Sequence, residues 1–155
     1  MRKLKGVTLV EMLIVMVLIG IVTAISLPKL ANTTDDLAVR SARQEVGSYL
    51  SQARALAIQN GRMGRFIRSG NTIRIALDNA SGQTIVLASQ DLGVGNGVTL
   101  VASPSDTVAF DPRGVLTSDA SASSPKVLIS RNGIADSVCV VGRGKVSISQ
   151  CQLAQ

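Results

Sequence analysis

The sequence contains no histidine and no tryptophan, and its only aromatic residues are Tyr49, Phe66 and Phe110. Without histidine the chain lacks the commonest general base and the commonest metal ligand. It also has no Cys-x-x-Cys pair and no serine-centred nucleophile elbow. These absences argue against an enzyme, and no metal or other cofactor is expected. The aromatic shortage implies a core of Val, Ile, Leu and Ala. It also limits how a nucleic acid would be held. Single-strand binders stack bases on aromatic side chains, and none is interleaved with the cations here. Any nucleic-acid contact would run through phosphates, without sequence preference and with steep salt dependence. Cysteine is scarce as well. Cys139 and Cys151 form an even pair, which suggests a disulfide and, in a chain that enters a membrane, an oxidising compartment.

What is present, first, is an apolar run at the N-terminus. Arg2, Lys3 and Lys5 precede Gly6, and from Val7 to Leu27 the one charged residue is Glu11. As a helix this run is about 30 Å long, the thickness of a bilayer core. A cleavable secretory signal has a shorter apolar region of about 7–15 residues. A plain anchor fits the length and the flanking charge, and a buried core helix rarely runs so long. None of these accounts for Glu11, because an acid deep in lipid costs roughly 2.5–3.5 kcal/mol. The leading cations hold their end in the cytoplasm. Without those three, sixteen cations fall to thirteen against ten acids, a mild excess that by itself argues for no nucleic acid.

The stretch Lys3-Leu4-Lys5-Gly6, followed by Val7-Thr8-Leu9-Val10-Glu11, resembles the processing site of type IV pilins and of the pseudopilins of type II secretion. The resemblance implies that a prepilin peptidase cuts after Gly6, that the new N-terminus at Val7 is methylated, and that Glu11 is the fifth mature residue. The first mature residue of the family is usually Phe or Met, so Val7 departs from the pattern. Pro28 stands where members tend to carry a proline. A cut at Gly6 lies on the cytoplasmic side and leaves the apolar run in the bacterial inner membrane. It creates an α-amine that Glu11 of a neighbouring subunit would neutralise. An unpaired charge in such a bundle is expensive, so the pair favours correct axial register. The implied partners are other pilins or pseudopilins, the prepilin peptidase and the membrane. The C-terminal domain would lie in the periplasm and then in a pilus or pseudopilus filament.

Behind the run, Leu37, Val46, Leu50, Ala53, Leu56 and Ala57 recur near helical spacing with polar residues between them. This amphipathic stripe would pack on the protein's own sheet. Asn60-Gly61 reads as the helix stop. Pro28 lacks a backbone donor and should kink the helix where it leaves the membrane. From Arg62 the pattern changes to short alternating runs: Thr72–Leu77, with Ile73, Ile75 and Leu77 on one face, then Thr84–Ala88, Val98–Val101, Thr107–Phe110, Lys126–Ser130, Ser137–Val141 and Lys145–Ser149, with Val146 and Ile148 inward. Such runs are a strand signature. Asn79–Gly82 and Asn132-Gly133 supply turns, and the Ser/Ala-rich stretch 117–125 reads as a mobile loop. The expected fold is α+β, the type IV pilin fold, with a long N-terminal helix packed on antiparallel sheet. Its expected parts are a leader peptide (1–6), a transmembrane and assembly helix (7–28), an amphipathic helix (29–60) and a β-rich periplasmic domain (61–155).

Two segments point to a branch of that family. Thr107-Val108-Ala109-Phe110-Asp111-Pro112-Arg113-Gly114 resembles the Phe-x-Pro-x-Gly segment of the FimT/GspH group of minor pilins and pseudopilins. The end of the chain, Cys139 to Cys151, resembles the FimT tail, where a Gly-Arg-x-Arg turn precedes a terminal strand and a Cys. Here the turn is Gly142-Arg143-Gly144-Lys145. Lysine keeps the charge of the second arginine and loses its bidentate fork. FimT-type proteins are implicated in pilus biogenesis and in DNA capture during natural transformation. The resemblance therefore implies binding of double-stranded DNA by Arg143 and Lys145, with Gly142 and Gly144 letting a phosphate approach the backbone. The GspH branch implies instead a structural minor pseudopilin of a type II secretion system that binds no DNA. Without the resemblance, the turn reads as two solvated cations on a stapled hairpin. Arg62, Arg65 and Arg68 make a second basic cluster, with Arg74 on the polar face of the next strand, and Lys126 and Arg131 extend the basic surface near the tail. These are weaker candidates, because a solvated sheet face would look the same.

Overall fold

The computed structural model of the protein describes residues 8–82, 84–117, 124–141, 143–148 and Cys151, apart from the side chains of 26–32. The leader, Gly6, Val7 and Gly142 lie outside the described residues, as do the side chain of Pro28 and most of the loop expected over 117–125. The chain divides into two units, Met1–Thr34 and Asp35–Gln155.

One helix, α1 (Leu9–Asn60), contributes to both units. Its start is fixed locally. Thr8 Oγ1 accepts from the Glu11 backbone N–H at 3.2 Å, and Thr8 O accepts from Met12 N–H at 3.2 Å. Thr8-Leu9-Val10-Glu11 thus has the spacing of a capping box, with Thr8 as N-cap and an acid in the positive first turn. From Leu9 to Ile25 every described side chain is exposed in the single chain, Leu9 at 82% and Met16 at 74%. Thr23 turns its hydroxyl back to Ile19 O and Gly20 O at 2.9 and 3.0 Å, so its one polar group is satisfied within the helix. Among the described residues no helix is long and apolar enough to cross a membrane. Residues 9–25 rise about 25 Å, short of a bilayer core of about 30 Å, and the rest of the apolar run falls beyond the described side chains.

In the second unit α1 buries one stripe: Val39, Ala42, Val46, Leu50, Ala53 and Ala57, all within 1% exposure. The spacings of three and four residues keep these on one face. Leu37 does not belong to that stripe. It is 60% exposed, because two residues before Val39 is about 200° round the helix. Leu56 is half-buried on the flank. Gly61 takes a left-handed φ of 62°, and Arg62 N–H reaches back to Ala57 O at 3.2 Å. This is the Schellman closure expected of Asn60-Gly61.

The β region is two antiparallel sheets. The first contains β1 (Gly64–Ser69), β2 (Thr72–Asp78), β3 (Thr84–Asp91) and β5 (Thr107–Phe110), in the order β3-β2-β1-β5. The second contains β4 (Thr99–Ser103), β6 (Lys126–Arg131), β7 (Ile134–Val141) and β8 (Lys145–Ser147), in the order β4-β6-β7-β8. A short helix α2 (Leu92–Asn96), capped by the Asp91 carboxylate, carries the chain between them. Strand β1 sits tight against the main helix. A Cβ on Gly64 would stand 2.3 Å from Ala53 O and 2.9 Å from Ala57 Cβ, so only glycine fits there. The core joins the helix stripe to Phe66, Ile73, Ile75, Val108 and Phe110 of the first sheet and to Leu100, Val127, Ile129, Val138 and Val140 of the second. Leu77 is half-buried, and Ala76 is buried instead, because a bulge between Ile75 and Ala76 shifts the alternation. Strand β3 also differs from an inward apolar strand. Ile85, Val86 and Leu87 are about half exposed, at 48%, 50% and 52%, since β3 is an edge strand beyond that bulge. Asn132 and Gly133, with φ of 47° and 84°, make the tight β6–β7 turn.

Candidate nucleic-acid interface

The tail turn is held from two sides. Below it, Val140 pairs with Val146 and Val141 with Lys145, and Cys139 is bonded to Cys151 with Cα atoms 5.7 Å apart. Above β8, Ile148 lies over Gly47 of α1, although it remains 37% exposed. Arg143 and Lys145 are both exposed. Gly144 between them is buried, with φ of 97°.

What buries Gly144 is the segment Asp111–Gly114. A Cβ on Gly144 would stand 2.4 Å from Gly114 O. That second turn is built by Asp111, whose Oδ1 accepts from Arg113 N–H at 2.8 Å and Val115 N–H at 2.9 Å. Its backbone closes through Gly114 N–H to Asp111 O and Asp111 N–H to Val115 O, both 2.8 Å. Phe110 anchors it in the core. Gly114, at φ of 74°, packs against Ile58 and Arg54 of α1, and Arg54 Nε donates to Gly114 O at 2.9 Å. A cavity of about 360 Å³ beside the two turns is lined by Ser51, Arg54, Ala55, Ile58, Lys145 and Val146.

The other basic residues expected from sequence are placed differently. Arg65 Nε and Nη2 donate to the two carboxylate oxygens of Asp78 at 3.0 and 2.9 Å, a bidentate pair. Thr84 Oγ1 donates to the same carboxylate at 2.8 Å. The hydrogen bond from Arg65 holds Asp78 below the usual carboxylate range against the opposing effect of burial, and the reciprocal bond raises Arg65. Arg68 donates to Asp106, to Leu100 O at 3.0 Å and to Gly70 O at 2.8 Å. Arg131 pairs with Asp35 at 2.7 Å and also donates to Asn96 O. Asn132 Nδ2 donates to Asp35 Oδ2 at 2.9 Å, so Asp35 ties the β6–β7 hairpin to the helix. Lys126 is half-buried opposite Cys139 and Ser103 in the second sheet. Arg62 is exposed just past the helix end, and Glu11 is exposed in the first turn of α1. The structure thus sets the turn of Arg143 and Lys145 against the 111–114 turn, which carries Arg113, and beside Arg54 of α1; neither Arg113 nor Arg54 was read as part of a site. No group of metal-ligating side chains occurs among the described residues.

A long helix whose second part buries one stripe against antiparallel sheets is the type IV pilin fold. Residues 1–27 match the family model described as a prokaryotic N-terminal methylation motif, a span that contains Gly6, Val7 and Glu11. Among solved structures, the chain is similar to the type IV minor pilin FimU of Pseudomonas aeruginosa strain PAO1 in two crystal forms. One superposes with a TM-score of 0.62 at 19% identity, covering 76% of this chain and 92% of FimU. The other gives 0.55 at 20% identity, covering 69% and 89%. No curated protein matches in sequence.

Proposed function

We propose that the protein is a minor pilin that enters or primes a type IV pilus and binds duplex DNA through Arg143 and Lys145 during DNA uptake. A prepilin peptidase cuts after Gly6, and the amine freed at Val7 is methylated. The exposed apolar face of α1 then serves twice, first in the inner membrane and then against other pilins in the filament. Glu11 of one subunit meets the Val7 amine of its neighbour, where low dielectric makes an unpaired charge costly. The globular part faces the periplasm. The observation that carries the DNA reading is the tail turn, which presents Arg143 and Lys145 to solvent on a backbone held by the Cys139–Cys151 bond. Gly144 is buried on Gly114 O and serves the contact between the turns rather than an approach by phosphate, which leaves Gly142 as the glycine beside Arg143 that would let one close to the chain.

The test is a mobility shift of the full-length protein in mild detergent with a mixed-sequence duplex, run across a salt series. The reading predicts binding at low salt that weakens steeply, by about 0.9 in log–log slope for each phosphate neutralised. Failure to shift any duplex at low salt would leave a filament subunit of the pseudopilin kind, with no nucleic-acid role.

A further inference from the structure

We infer that Arg113 is a third phosphate contact, and that the turns 111–114 and 143–145 form one anion-binding surface whose spacing is set by Arg54. This rests on the DNA-binding reading of the tail given above. The two turns are thirty residues apart in sequence and are in direct contact in the fold, since Gly144 leaves no room for a methyl group beside Gly114 O. Arg113 is exposed on the residue immediately before Gly114. Its backbone is fixed by the Asp111 carboxylate, so the side chain springs from a rigid turn. Arg54 reaches from α1 to the carbonyl of Gly114, and the face of α1 that carries it walls the same cavity as Lys145. Arg54 of α1 and Lys145 of the tail thus border one recess, and the turn that carries Arg113 packs on the tail turn beside it. A duplex presents phosphates in a row, and a row of cations on rigid backbone neutralises several at once. Arg54 already gives one donor to protein backbone. Its role is to position the two turns.

The experiment measures duplex affinity of the full-length protein in detergent against salt, for five variants. Arg113→Ala is expected to weaken binding and to flatten the log–log slope by about 0.9, one phosphate contact. Arg40→Ala removes the same charge from an exposed position on α1 about 20 Å away along the helix, and is expected to leave the slope as in the parent. Arg54→Lys keeps the charge but lacks the Nε donor that meets Gly114 O. It is expected to weaken binding several-fold with the unfolding midpoint unchanged. Gly144→Ala adds a methyl group to the contact without altering charge and is expected to weaken binding too. Should it fail to fold, the first three variants still decide. An Arg113→Ala slope equal to that of Arg40→Ala overturns the shared surface, and unchanged binding in Arg54→Lys overturns the positioning role. If Arg143→Ala/Lys145→Ala binds as tightly as the parent, the tail reading itself fails. If that double variant is weak while Arg113→Ala behaves like Arg40→Ala, only the present inference fails.

Discussion

At the start of the β region Arg65 and Arg68 each close on a carboxylate, Asp78 and Asp106, whereas at the tail Arg143 and Lys145 stand exposed on a turn. In the sequence both groups are short clusters of cations beside glycine. In the fold they do opposite things. Arg65 joins neighbouring strands, since Arg65 lies opposite Ala76 and Asp78 pairs with Thr84. Arg68 ties β1 to the backbone of β4 at Leu100, across the two sheets. The forks of these guanidinium groups are turned to protein acceptors, and a phosphate would have to displace a bound carboxylate. The tail turn instead spends its covalent and backbone links on shape and leaves its charges outward. A count of cations does not separate the two arrangements. The position of the nearest acid does.

The comparison is sharpened most by removing what holds each cluster. Cys151→Ser opens a closed loop with a sequence separation of 12, and should lower unfolding free energy by about 3 kcal/mol. Urea unfolding under oxidising conditions measures this, and DNA affinity should fall with it because the turn loses its lower clasp. Asp78→Ala strips Arg65 of its bidentate partner in a half-buried site. The expected loss is about 1–3 kcal/mol, read by the same titration, with duplex affinity unchanged or raised by the freed cation. An affinity that falls in Arg65→Ala would place the helix-end cluster in the interface after all.

The same pair gives the fold an acid sensitivity of known sign. The Asp78 carboxyl is held below its ordinary value by the Arg65 hydrogen bond, so the folded chain binds that proton less readily than the unfolded chain. Its contribution is fully present above the ordinary aspartate value of about 3.9. It is lost as pH falls through that value toward the lowered one in the folded state. Arg65 is raised and stays charged throughout this range. Unfolding free energies measured at neutral pH and near pH 3 should therefore converge on each other more closely in Asp78→Asn than in the parent. A parent and variant that lose the same stability on acidification would contradict the pairing.

Much of the fold was legible from spacing alone. Val46, Leu50, Ala53 and Ala57 of the buried stripe, the stop at Gly61 and the Asn132-Gly133 turn follow from local chemistry, and the structure has them. Strand β1 was hidden because Phe66 and Ile67 are interleaved with Arg65 and Arg68, so the segment looked like a cation cluster before it looked like a strand. Helix α2 was missed because its five residues include two glycines, although Asp91 at its N-cap was a usable signal. The helix cap at Thr8, whose hydroxyl accepts from the Glu11 backbone N–H, was equally readable. The ion pairs could not be read, because their partners lie 13 and 38 residues away. The contact between the 111–114 and 143–145 turns was beyond reach for the same reason. Each was noticed as a motif, but only the packing of Gly144 on Gly114 O puts Arg113 beside the tail.

The smallest structural change carries the largest functional consequence. Arg143→Ala/Lys145→Ala alters two exposed side chains and should leave stability within about 0.5 kcal/mol. Set beside Arg65→Ala/Arg68→Ala, which removes the same charge from the paired cluster, it tests the central claim most directly through the salt dependence of duplex binding. The account predicts that the tail pair flattens the log–log slope by about 1.8, two phosphate contacts, while the Arg65/Arg68 pair leaves the slope unchanged and lowers stability. Equal slopes in the two double variants, or a flatter slope only in Arg65→Ala/Arg68→Ala, would contradict it.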